Sequence, residues 1–342
     1  RAGRDVALYA RREDVARDIN ENRRNTVYLP DAPLPHAIRA VTDMAEAVRD
    51  ADAALLVIPS SGVRETARAL SGALSTTVPL VICAKGVEPA TGLLMRDIVA
   101  EEMPGQPTAV LSGPTFADEV ALDLPTAVTI ASDVDILAGD DVERSVAARL
   151  ALSLSSGGLR AYVSDDPIGV EMGGAMKNVI AIACGVAKGA GFRSNMRAAL
   201  ITRGLAEMTL LATALGGRAD TIAGLSGLGD LSLTCSSEQS RNLRFGIQLG
   251  EGAKREETFG GAPVVVEGVR NAVSVTDLAR SKGLNLPICE AVRAMVHDGA
   301  DIVTTLGDLW TRPLEAEPLG LDLLLRHPAP AQTREKIEEL IG

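Results

Sequence analysis

Lys177 and Asn178 are the only strongly polar residues of the stretch Gly173–Ala183. A helix that is apolar on nearly every side is usually buried. Burying an ammonium is costly unless it is paired, and it favours the neutral amine. A lysine placed this way suits general acid/base work at neutral pH. The plain alternative is a lysine that reaches water from a boundary helix. Asp230 closes the glycine-rich stretch Gly224–Asp230. Its glycines permit tight turns and close approach, and no Gly-Lys-Ser/Thr follows to make a phosphate-binding P-loop. Taken alone, that stretch reads better as a helix-connecting loop. Ser240, Arg241 and Asn242 could open a helix, where free N–H groups, a guanidinium and an amide would suit a phosphate. An N-cap serine followed by solvated polar residues is the other reading. Lys85 and the pair Gly113 and Thr115 follow apolar runs that read as strands, at the ends where open α/β sheets bind ligands. Arg11 and Arg12 follow another such run. There an acid would bind the ribose of NAD, whereas arginines suit the 2′-phosphate of NADP, unless they merely pair with Glu13 and Asp14.

Composition narrows the field. The 342 residues carry a formal net charge of −11, which argues against broad contact with nucleic acid or anionic membrane. A local pocket of Lys and Arg could still hold a small anion. His36, His297 and His327 are isolated, so a histidine acid/base pair or metal centre is not expected. The cysteines Cys83, Cys184, Cys235 and Cys289 are scattered, as in reduced cytoplasmic thiols. No apolar run reaches the roughly 18 residues of a membrane span, and no signal peptide opens the chain. A homodimer is compatible with all of this.

Positioning such residues needs a two-domain scaffold, which the length favours. In the first half, candidate strands Asp5–Tyr9, Ala53–Ile58, Leu80–Ala84, Thr108–Leu111, Thr126–Ala131 and Leu159–Val163 alternate with helical stretches such as Arg64–Leu74 and Leu93–Glu102. This rhythm predicts an α/β, doubly wound (Rossmann-like) parallel sheet over residues 1–164. Asp166 and Pro167 make a helix start, and the apolar run continues to about Lys188, before Gly189. Further helices are predicted at Asn195–Leu215, Ser240–Leu249, Gly268–Lys282 and Ile288–His297. An all-helical domain over 165–316 follows, with a C-terminal extension over 317–342 read as a short helix or loose end. The opening is unusual. A doubly wound domain should begin strand, glycine turn, helix, yet Arg1–Arg4 leads straight into what looks like a second strand, with no G-x-G-x-x-G nearby.

Seven blocks in order resemble bacterial NAD(P)-dependent glycerol-3-phosphate dehydrogenases: Leu111–Ala117, Ser164–Glu171, Met176–Ala183, Arg197–Met208, Gly224–Asp230, Ser240–Asn242 and Val265–Val269. The likeness runs from about Arg1 to Pro313. It implies that Lys177 is the proton donor to, and acceptor from, the oxygen at the carbon that exchanges hydride. It further implies that Lys85, Gly113, Thr115, Asp230, Ser240, Arg241 and Asn242 hold a small phosphorylated substrate. Arg11, Arg12, Tyr28, Lys85, Ala117, Arg241, Val265 and Glu267 would hold the coenzyme, NADP(H) in preference to NAD(H). No metal is implied, and the product would feed phospholipid synthesis in the cytoplasm. Against the family pattern, the expected first strand and glycine loop, about twenty residues upstream of Arg1, are absent from the sequence. Two rival readings remain: a dehydrogenase of another hydroxy acid or sugar phosphate, and an inactive binding or scaffold protein.

Overall fold

The computed structural model describes residues 2–133, 141–315 and 323–341. The chain divides into two compact units: residues 1–85 with 93–171, and residues 86–92 with 172–342. The short segment Gly86–Gly92 thus leaves the first unit directly after Lys85 and packs with the second.

The first unit is α/β. Strands β1 (Val6–Tyr9) and β2 (Ile38–Val41) pair in parallel as one small sheet. Strands β3 (Ala54–Leu56), β4 (Leu80–Ile82), β5 (Thr108–Ser112), β6 (Thr126–Ala131) and β7 (Leu159–Ser164) form a second, in sequence order. Helices α1 (Glu13–Asn22), α2 (Met44–Val48), α3 (Val63–Leu70), α4 (Met95–Glu102), α5 (Ala117–Ala121) and α6 (Val146–Leu154) lie between them in the chain. Leu80 and Ile82 of β4 pack on α3 and α4, whereas Val81 joins β5, β6 and α6 in another apolar cluster. That alternation is the strand's period of two, with both faces covered. A third cluster sets Val15, Ala16 and Ile19 of α1 against Ala40 of β2.

The sheet departs from the sequence expectation in two ways. β6 runs antiparallel to β5. The link between them, residues 113–125, carries only the five-residue helix α5, too short to run back along a strand as the helix of a parallel crossover does. In addition, β1 and β2 stand apart from the larger sheet. β1 therefore leaves Val6, Leu8 and Tyr9 exposed despite their apolar character.

The second unit is helical, built around α7 (Pro167–Gly189), whose first residues belong to the first unit. Asp166 caps it as predicted, its Oδ1 accepting from the Gly169 amide at 2.9 Å. By length and composition α7 could cross a membrane, but its apolar stretch is wholly buried within the protein. Around it come α8 (Ser194–Ala214), α9 (Ala219–Ile222), α10 (Asp230–Ser236), α11 (Arg241–Gly250), α12 (Glu267–Ser281), α13 (Pro287–His297), α14 (Ile302–Trp310) and α15 (Pro330–Ile341). The start of the extension expected over 317–342 lies outside the described residues; its end is α15, which packs on α14.

Two buried acids report on this packing. Glu207 of α8 accepts from the Ile288 and Cys289 amides at 2.7 and 3.2 Å, satisfying the first turn of α13. Burial still pushes its pKa up to about 7. Glu171 is buried in α7, with Oε1 accepting from the Arg96 amide at 3.0 Å and Oε2 without a partner among the described residues. Burial raises its pKa from 4.5 to about 8. The folded protein then keeps a proton that the unfolded chain releases, so stability falls as pH rises from about 4.5 through 8. Glu171→Gln, neutral at every pH, is expected to stabilise the protein at pH 8 by on the order of 2 kcal/mol and to be nearly neutral near pH 4.5. Urea midpoints at the two pH values check this; an equal effect at both would refute the assignment.

Candidate active site

Lys177 is buried, 8% exposed, at the middle of α7. Its Nζ donates to Asp230 Oδ1 at 2.6 Å and to Thr234 Oγ1 at 2.9 Å. Thr234 in turn donates to Asp230 Oδ1 at 3.3 Å. The carboxylate answers the cost of burying an ammonium, which settles the choice left open by the sequence: this lysine is paired inside, not reaching for water. Thr234 was not expected from the sequence. It lies one helical turn beyond Asp230, so i, i+4 spacing on α10 was the signal available.

A wide π-helical turn, Leu225–Gly229, delivers Asp230 to the head of α10. Such turns are frequent at functional sites. It is clamped by close backbone contact, since a Cβ on Gly173 of α7 would sit 2.4 Å from the Ser226 carbonyl oxygen. Ser226 Oγ is buried there without a hydrogen-bond partner among the described residues. Below the pair, Cys235 is buried against Cys184, and burial raises its pKa well above the ordinary thiol value. Both sulfurs are free and buried, as expected for reduced, unreactive thiols.

A polar chain runs beside Lys177. Asn178 donates to Glu267 Oε2 at 3.4 Å and accepts from Asn242 Nδ2 at 2.8 Å. Asn242 Oδ1 accepts from the Gly268 amide at 2.9 Å. The Asn242 amide is thus committed at both ends to joining α7, α11 and α12. Asn178, the other polar residue of the buried stretch, is the junction. Ser240 is the N-cap of α11, its Oγ accepting from the Leu243 amide at 3.2 Å. Arg241 is exposed at the helix start, with no hydrogen bond or ion pair among the described residues. Of the three, Arg241 is the one whose side chain is open to an anion. Val265 is 50% exposed just ahead of α12.

The remaining expected residues lie in the first unit. Lys85 follows β4, half-buried. Gly113 follows β5 with φ +153°, and a Cβ there would lie 2.9 Å from Val128 Cα, so close strand packing alone demands glycine. Thr115 Oγ1 donates to the Gly113 carbonyl at 3.4 Å, and Ala117 is exposed at the first position of α5. Arg12 donates from Nε to Asp14 Oδ1 at 2.9 Å, and the nearby Tyr28 adds to the upward shift of its pKa. The Arg12 guanidinium holds the Asp14 carboxyl below the ordinary carboxylate range. Arg11 has no such partner among the described residues. Sequence spacing had grouped the two arginines; the structure separates a paired one from an open one.

Two family models match, described as NAD-dependent glycerol-3-phosphate dehydrogenase N-terminus over residues 1–138 and C-terminus over residues 166–306. Among curated relatives, a glycerol-3-phosphate dehydrogenase [NAD(P)+] of Parvibaculum lavamentivorans is 45% identical over 92% of this chain and 92% of its own. The enzyme of that name from Caulobacter vibrioides is 45% identical over 93% of each. Among solved structures, the glycerol-3-phosphate dehydrogenase of Coxiella burnetii superposes with a TM-score of 0.81 at 36% identity, covering 90% of this chain and 92% of that one.

Proposed function

The chain belongs to the NAD-dependent glycerol-3-phosphate dehydrogenase family, and we infer that it interconverts sn-glycerol 3-phosphate and dihydroxyacetone phosphate with NADP(H) or NAD(H). The observation that carries the chemistry is the buried Lys177–Asp230–Thr234 cluster. In the reducing direction the Lys177 ammonium gives a proton to the carbonyl oxygen of the substrate. In the oxidising direction the amine takes the proton of the hydroxyl. Asp230 and Thr234 fix the position of Nζ and compensate its charge, so that one nitrogen serves both directions. NAD(P)H, when bound, supplies the hydride to the substrate carbon.

Arg241, at the head of α11, takes the substrate phosphate, with Ser240 and Asn242 holding that helix start in place. Lys85, Gly113 and Thr115 are the further substrate contacts that the family resemblance implies. Arg11, Arg12, Tyr28, Lys85, Ala117, Arg241, Val265 and Glu267 are the coenzyme contacts that the family resemblance implies. The unpaired guanidinium of Arg11 fits the 2′-phosphate of NADP better than a bare ribose, which favours NADPH. The product supplies glycerophospholipid synthesis in the cytoplasm.

Arg241→Ala is expected to raise KM for dihydroxyacetone phosphate about tenfold or more, as loss of a charge-assisted contact does. Turnover of unphosphorylated dihydroxyacetone should be unchanged. Equal losses on both substrates would remove Arg241 from the phosphate. For the coenzyme, Arg11→Ala should weaken NADPH roughly tenfold while sparing NADH; steady-state KM values for the two coenzymes decide it.

A further inference from the structure

An open groove of about 960 Å³ lies in the second unit between the start of α8 and α15, near the upper end of the size range of small-molecule sites. Its apolar wall includes Phe192, Trp310, Ile337 and Leu340. Trp310 and Leu340 are 43% and 50% exposed, so large apolar surfaces face solvent here. Arg193 and Lys336 also line it, and neither has a hydrogen bond or ion pair from its side chain among the described residues. Among the described residues no acidic side chain lines the groove, although the chain holds 45 acidic residues and a net charge of −11. On α15, Lys336, Ile337 and Leu340 fall on the groove side, whereas Glu335, Glu338 and Glu339 do not line it. None of these residues belongs to the Lys177 cluster. α15 and Trp310 lie beyond residue 306, where the family match ends.

We propose that this groove binds a single-chain amphiphilic anion, with its acyl or alkyl chain along Phe192, Trp310, Ile337 and Leu340 and its carboxylate or phosphate head against Arg193 and Lys336. Charge complementarity chooses the occupant. An uncharged hydrocarbon leaves two unpaired cations without purpose, and a small inorganic anion leaves the apolar wall in water. A bilayer surface is disfavoured by the concave shape and by the acidity of the whole chain.

Trp310 is the only tryptophan of the sequence, so its fluorescence reads the groove directly. The experiment titrates laurate, dodecyl phosphate and dodecanol, each below its aggregation limit, into the intact protein. Saturable fluorescence change with laurate or dodecyl phosphate, at least tenfold tighter than with dodecanol, is expected; which anion binds tighter identifies the head as carboxylate or phosphate. Arg193→Gln with Lys336→Gln, both on exposed positions, should erase that margin while circular dichroism and dodecanol binding stay unchanged. No saturable change, or equal binding of dodecanol and the anions, overturns the proposal. So does a response confined to anionic phospholipid vesicles, or one that follows protein concentration and marks a second copy of the chain.

Discussion

Replacing Lys177 with alanine is expected to cut turnover by about 10²-fold or more, the usual contribution of a positioned acid/base. Alanine has a second effect, because it leaves the fully buried Asp230 carboxylate without its counter-ion, and breaking a buried pair can cost roughly 3–5 kcal/mol. Lys177→Arg separates the two. Arginine keeps a positive charge beside Asp230, but its guanidinium does not surrender a proton near neutral pH. The arginine variant should therefore melt close to the parent and still lose about 10²-fold or more in kcat, in both directions of the reaction. A folded Lys177→Arg protein with near-normal turnover would show that the amine is structural.

Gly246→Val should be the most damaging substitution for stability, at roughly 3 kcal/mol or more, beyond ordinary overpacking. α7 and α11 cross where Gly185 and Gly189 meet Gly246 and Gly250. A Cβ on Gly246 would lie 2.3 Å from the Ile182 carbonyl oxygen and 2.9 Å from Gly185 Cα. Both are backbone atoms, so no rotamer relieves the clash and the helices must part. Parting them moves Arg241 and Asn242 away from the helix that carries Lys177 and Asn178, so surviving protein should also be slow. Gly157→Ala is the control, since nothing lies within 4 Å of its Cβ position. Urea midpoints that fall equally for both variants would mean that the crossing tolerates a side chain.

Local features of this chain were readable in advance. Thr126–Ala131 is a strand over the predicted residues because its β-branched run is bounded by Pro125 and by polar residues. The helix Pro167–Gly189 starts on its own capping chemistry, whereas the glycine that turns the chain after it is Gly191, with φ +89°, and not Gly189. Strand direction was not readable: the period of two that marks β6 is the same in either sense, and a link of the length between β5 and β6 serves either one. β2 escaped notice because Ile38–Val41 is short and interrupted by Arg39. At the site, Lys177 betrayed itself by being polar in an apolar stretch. Its partner in the ion pair could only be guessed, since 53 residues separate Lys177 from Asp230. The Asn178–Asn242–Gly268 chain was invisible for the same reason. The glycine spacing of α7 and α11, repeated at i, i+4, carried the signal for their close crossing.

The most direct test follows isotope from coenzyme to substrate. The protein is incubated with 4,4-dideuterated NADPH and dihydroxyacetone phosphate, and the glycerol 3-phosphate formed is analysed by mass spectrometry. Deuterium at C2, one equivalent per NADPH oxidised, with labelled product formed about 10²-fold or more slower by Lys177→Arg, is the predicted result. NADPH left unconsumed by the parent protein, or label transferred at the parent rate by Lys177→Arg, would contradict a Lys177-centred dehydrogenase.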